Sequence, residues 1–222
     1  MDPALCRELA RLDSVEPITA SGGQDLPRVE LDRPWHEVAG LYLHLGYVHI
    51  LPRGLDHILF VLALFLASTR FRALLLQVSV FTLAHTLTLG LAAAGKISAT
   101  PGIVEPLIAA SIAFVAVENI FLKDISRWRP LVVFGFGLFH GLGFAGVLQG
   151  LGLPEGQFLA ALVSFNIGVE LGQLSVIVAA WVLLFKYFGQ EWYRPRIVIP
   201  ASAAIALTGL WWAVQRAWPL FA

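Results

Sequence analysis

Apolar residues run along this chain in long blocks separated by short polar breaks. Six such blocks follow one another, over about residues 55–69, 73–94, 102–122, 131–151, 157–188 and 197–214. Most approach the roughly 20 apolar residues that a helix needs to cross a bilayer. The breaks between them carry helix stops: Arg70 and Arg72, Gly95-Lys96, Lys123 to Pro130, Pro154-Glu155, and Lys186 to Pro195. The first block is short. The stretch before it, Trp35 to Leu51, mixes Trp, Tyr and His with aliphatic residues and reads as an interfacial or re-entrant helix. It is also a candidate extension of the first span, from which Pro52-Arg53-Gly54 separates it. Residues 1–34 alternate acids and arginines around a Ser21-Gly22-Gly23 joint and read as a short extramembrane segment. The expected architecture is all-α: a polytopic bundle of about six transmembrane helices over 35–222, preceded by that interfacial or re-entrant helix.

Composition agrees with this pattern. Of 222 residues, 58% are hydrophobic and 14% charged, too apolar a balance for an ordinary soluble domain. Net charge is zero and no basic tract is present, so nothing points to nucleic acid. One cysteine and one methionine leave no disulfide framework and no sulfur-rich metal site. The first fifty residues hold no basic region leading into an apolar core, so the first span is expected to direct insertion.

Basic residues set the expected orientation. Arg70 and Arg72, then Lys123, Arg127 and Arg129, then Lys186, Arg194 and Arg196 follow the first, third and fifth blocks. The loops after the second and fourth hold only Lys96. The positive-inside rule therefore places both termini outside the cytoplasm.

Against this apolar background the polar residues inside the spans stand out. Asp56 and His57 open the first block, with His49 just before it. Thr82, His85 and Thr86 share one face of the second. Glu105 begins the third, and Glu118-Asn119 ends it. His140 sits among glycines in the fourth, where Gly137 and Gly141 form a small-xxx-small pair. Asn166, Glu170 and Gln173 share a face of the fifth. An ionised group at the centre of a span costs roughly 2.5–3.5 kcal/mol unless it meets a partner. The expectation is one polar site built from Asp56, His57, His85, His140 and Glu170, with His49 at its entrance and Glu105 above. The threonines, Asn166 and Gln173 serve equally well as interhelical hydrogen-bonding groups. Glu118 is expected to pair with Lys123 and Arg127.

Imidazole and carboxylate without sulfur suit borderline divalent ions such as Ni²⁺, Co²⁺ and Zn²⁺, and do not suit Cu⁺. No phosphate-binding loop is present, so ATP hydrolysis by this chain is excluded as a power source.

The blocks HILPRGLDHILFVLALFL, FTLAHTLTLGLA, VEPLIAASIAFVAVEN, FGFGLFHGLGFAG and FNIGVELGQL together resemble the HupE/UreJ family of bacterial membrane proteins, in particular its second, less characterised branch. The resemblance covers about residues 46–180. It implies a multi-pass protein of the bacterial inner membrane, associated with nickel uptake by facilitated diffusion and with hydrogenase and urease gene clusters. The family's first-span motif, H-x5-D-H, lands on His49, Asp56 and His57, although six residues separate His49 from Asp56 here. Its FHGxAHGxE motif lands on Phe139-His140-Gly141, and the second His and the Glu have no counterpart. Glu170 is the candidate replacement for that carboxylate.

Two functions stay open on this reading. One is a facilitator that passes Ni²⁺ or Co²⁺ along His49, Asp56, His57, His85, His140 and Glu170. The other is a Zn²⁺-dependent intramembrane hydrolase using the same residues, with Glu170 or Glu105 as base. Besides lipid and metal ion, a second copy of the chain or metalloenzyme-maturation proteins are the candidate partners.

Overall fold

A computed structural model describes residues 34–122, 126–150 and 156–220; the segment expected to lie outside the membrane falls beyond them, except for Pro34. Among the described residues there are seven α-helices and no strand. They are α1 (Trp35–Ile50), α2 (Leu55–Ala67), α3 (Phe71–Ala93), α4 (Pro101–Phe121), α5 (Arg129–Gly150), α6 (Phe158–Leu184) and α7 (Ile199–Ala217). A π-helical turn, Arg194–Val198, leads into α7. Helices α2 to α7 fall on the six apolar blocks, each boundary within a few residues of its polar break.

With their helical flanks, α3, α4, α6 and α7 are each long and apolar enough to cross a bilayer. The 13 residues of α2 are not. At about 1.5 Å per residue they cover about 20 Å, against a hydrocarbon core of about 30 Å. Only α1 and α2 together pass, with a bend of 70° between them, which gives up to five spans by length and composition. Helix α5, Arg129–Gly150, is apolar over Arg129–Phe144, the part whose side chains are described.

The bent pair follows α6 in one direction. A Cβ on Gly46 of α1 would meet the Phe165 carbonyl of α6, and one on Gly172 of α6 would meet Ile50 at the end of α1. Val61 and Phe65 of α2 then share a core cluster with Val176, Ile177 and Ala180, further along α6. Helix α1 is thus one half of a bent pair, a broken span or a re-entrant loop, packed along α6.

The other close pairs use the same device. On α5, a Cβ at Gly137 would meet the Phe81 carbonyl and Ala84, and one at Gly141 would meet the His85 carbonyl and Thr88. These small residues let α5 lie directly and in parallel on α3. Thr88 ties the contact by donating to the Leu138 carbonyl at 2.8 Å. Helix α7 packs antiparallel on α4, with Gly209 against Ala109 and Ala113.

The ends of the bundle differ in charge. The end of α2, the start of α3, the α4–α5 turn and the start of α7 gather Arg70, Arg127 and Arg194 around one cavity. Glu118 pairs there with Arg129 at 3.2 Å, not with Arg127 as expected, and Arg129 also donates to Asn119 Oδ1. Lys123, its other expected partner, lies outside the described residues. At the opposite end, Arg216 in the last turn of α7 meets Asp56.

Candidate metal centre

The break between α1 and α2 builds half of the site. Gly54 precedes α2, and a Cβ there would meet the His49 carbonyl, so only glycine lets α2 start so close to the end of α1. The turn brings the His49 and His57 rings to 4.8 Å between centroids. Close packing of α5 on α3 supplies the other half. His57 lies 5.9 Å from His85 and 4.9 Å from His140, and His49 lies 6.3 Å from His85, ring to ring. Four imidazoles from four helices therefore share one pocket. One ring nitrogen from each of His49, His57 and His85 lies within 4.8 Å of the other two, an arrangement that can hold a metal ion.

Hydrogen bonds fix which nitrogen two of these rings offer. Asn166 Nδ2 donates to the Leu162 carbonyl at 2.8 Å, so its Oδ1 faces His85 Nδ1 at 3.0 Å as an acceptor. His85 Nδ1 therefore carries the proton, and the lone pair sits on Nε2. Nε2 is buried and has no hydrogen-bond partner. Ser111 donates to the Ile108 carbonyl at 2.7 Å, so its oxygen accepts from His140 Nε2, 3.1 Å away. That leaves the lone pair of His140 on Nδ1, likewise buried and without a partner. The Nε2 atoms of His49 and His57 have none either. Four buried ring nitrogens without hydrogen-bond partners in one pocket are an unusual concentration, since buried polar atoms are nearly always satisfied. As a donor set they suit a borderline divalent ion.

Aromatic rings enclose the cluster. Phe144 packs on His49 at 4.1 Å and stacks on Phe165 at 5.0 Å. Phe81 touches His57 and His140, and Phe60 touches His140. His85 is 0% exposed, His140 1% and His57 7%.

The expected carboxylates stand apart from the imidazoles. Asp56, beside His57 in sequence, pairs with Arg216 at 3.0 Å and is half-buried at the mouth of the site. Glu170 accepts a hydrogen bond from Ser79 at 2.6 Å. It follows Asn166 by one helical turn toward the arginine-bearing end, and Ser79 precedes His85 by six residues in the same sense. Thr82 and Gln173 bond at 3.1 Å in the same α3–α6 seam. Glu105 is exposed, and its backbone oxygen lies near Arg216. The structure thus gathers His49, His57, His85 and His140, sets Asp56 and Glu170 on either side, and leaves Glu105 on the surface.

Sequence reasoning did not identify two orienting residues. Ser111 sits in an apolar stretch with no distinguishing pattern. Asn166 stood out only as a polar group inside a span, and its link to His85 joins residues 81 positions apart.

A family model described as HupE / UreJ protein matches residues 26–216. No curated protein and no solved structure matches the chain. The matched range contains all seven helices almost entire and all four clustered histidines, and the chain belongs to the HupE/UreJ family.

Proposed function

We propose that this protein is a membrane facilitator for a divalent transition metal, Ni²⁺ or Co²⁺, which it carries as substrate through the histidine cluster. The observation that supports this most is the set of four ring nitrogens, each buried and without a hydrogen-bond partner, inside a multi-pass membrane protein.

The arrangement suits passage better than storage. Imidazoles acting as ligands are neutral, so the cluster recognises a borderline metal by ligand type without cancelling its charge. A dication held by neutral ligands in a low-dielectric interior keeps its charge uncompensated, which offsets part of the ligand bonding. Asp56 at the mouth and Glu170 about a turn beyond the cluster supply negative charge on either side. These groups make three stations in sequence: carboxylate, imidazoles, carboxylate. An approaching cation competes with Arg216 for Asp56, then binds His49, His57 and His85, with His140 as a further ligand. An inside-negative potential favours inward movement of a dication by about 4.6 kcal/mol per 100 mV, twice the single-charge value. In this scheme the arginine-bearing end faces the cytoplasm, the orientation that the basic loops suggest.

A hydrolase would need a carboxylate base beside the metal-bound water. Asp56 is held by Arg216 and Glu170 by Ser79, and these contacts favour transport over the hydrolytic reading. The test is uptake into proteoliposomes that enclose a metal-sensitive dye. Wild type is expected to admit Ni²⁺ or Co²⁺, and His57→Ala and His85→Ala to abolish the signal. Absence of wild-type flux, with a metal-dependent hydrolytic activity lost in the same variants, would overturn the proposal.

A further inference from the structure

At the arginine-bearing end the chain forms a half-open cavity of about 540 Å³ that the histidine cluster does not line. Its walls come from the end of α2, the start of α3, the α4–α5 turn and the turn leading into α7. Three arginines line it from three separate connections: Arg70, Arg127 and Arg194. Among the described lining residues there is no carboxylate. Glu118, close to this end, is already paired with Arg129. No acid on the described walls therefore offsets the three arginines, of which Arg127 also lies over the Trp128 ring and Arg194 donates to the Ile120 carbonyl.

The hydroxyl chemistry agrees. Ser68, Thr69, Ser126 and Tyr193 also line the cavity. Tyr193 is 8% exposed, and its buried hydroxyl has no hydrogen-bond partner. Burial raises the Tyr193 phenol above its ordinary value, so it remains an O–H donor. Ser68 and Ser126 each accept a backbone N–H through their oxygens, from Arg70 and Trp128, which leaves both hydroxyl protons to donate elsewhere. Guanidinium groups and unspent hydroxyl donors around a void make a seat for an anion, since they match phosphate oxygens in charge and geometry. The remaining wall is apolar, with Leu66, Leu76 and Val198. Three guanidinium groups also make the cavity a poor exit for a bare dication.

We propose that this cavity binds a phosphate-bearing anion through Arg70, Arg127 and the Tyr193 hydroxyl. A phosphodiester headgroup of an anionic phospholipid and free inorganic phosphate share this chemistry. A basic pocket between helices beside the headgroup layer is a setting where anionic lipid collects.

The test is native mass spectrometry of full-length protein extracted in mild detergent. It is exchanged in turn against phosphatidylglycerol, phosphatidylcholine and inorganic phosphate. Wild type is expected to retain phosphatidylglycerol or phosphate well above phosphatidylcholine, and the preferred adduct identifies the source. Each surface arginine contributes about fivefold in binding. The Arg70→Gln/Arg127→Gln pair should therefore lose about 25-fold, and the isosteric Tyr193→Phe should weaken binding with an unchanged melting temperature. Arg194 is left intact because it donates to the Ile120 carbonyl and supports the fold. Equal retention of phosphatidylglycerol and phosphatidylcholine with no phosphate adduct would overturn the proposal. So would undiminished anion binding by the double variant. Neither outcome depends on metal transport.

Discussion

Asn166→Ala probes the link between fold and metal chemistry at a residue that would not itself touch the ion. Asn166 accepts from His85 Nδ1 at 3.0 Å and is held for that purpose by its own bond to the Leu162 carbonyl. Alanine removes the acceptor, so the His85 ring loses what fixes its tautomer and its aim. Outer partners of ligating histidines are worth about 10–100-fold in metal affinity. That range corresponds to about 1.4–2.8 kcal/mol. The substitution also leaves a buried N–H unpaired, at about 1–3 kcal/mol of stability. The two effects separate experimentally. Calorimetric titration of Ni²⁺ into purified protein reads affinity, and a melting curve reads fold. Asn166→Asp keeps an acceptor at the same place and should restore most of the affinity lost in Asn166→Ala. Wild-type affinity in Asn166→Ala, with intact folding, would show that His85 is not a ligand oriented this way.

Other substitutions follow from the same geometry. Asp56→Asn should abolish uptake at limiting metal and cost less than about 1 kcal/mol in stability, because its pair with Arg216 is half-exposed; unchanged uptake would remove Asp56 from the path. Gly141→Ala would press a methyl group into the His85 carbonyl, and over-packing of this kind costs about 1–3 kcal/mol. Its melting temperature should fall together with its metal affinity, and a neutral outcome would show that the α3–α5 contact does not set the site. His85→Ala and His140→Ala should each lose most of the affinity, with the double variant little worse, since ligands of one ion are not additive. Strictly additive losses would assign the two rings to separate sites. Arg194→Cys should label only from the cytoplasmic side, and labelling from outside intact cells would reverse the topology.

Much of this molecule is legible in its sequence because membrane burial makes polarity conspicuous. The apolar blocks locate six of the seven helices, and histidines inside those blocks had to find partners in the interior. His85 and His140 could be brought to one depth by counting residues along two parallel helices. What could not be read depends on rotation and on contacts distant in sequence. That α1 packs along α6 depends on Gly46 and Gly172, which let the two backbones approach closely. Asp56 adjoins His57 in sequence, yet successive helical residues point about 100° apart. The side chain meets Arg216, 160 residues away. Ser111 carries no sequence signal, because a serine bonded to the carbonyl three residues back is ordinary inside an apolar helix.

If His49, His57, His85 and His140 hold one ion, X-ray absorption at the metal edge of Ni²⁺- or Co²⁺-loaded protein will show it. Nitrogen scattering is expected near the roughly 2.0–2.1 Å usual for histidine ligands. The outer-ring scattering should correspond to three or four imidazoles and fall by at least one in His57→Ala. A shell of oxygen ligands only, or a spectrum unchanged by His57→Ala, would contradict it.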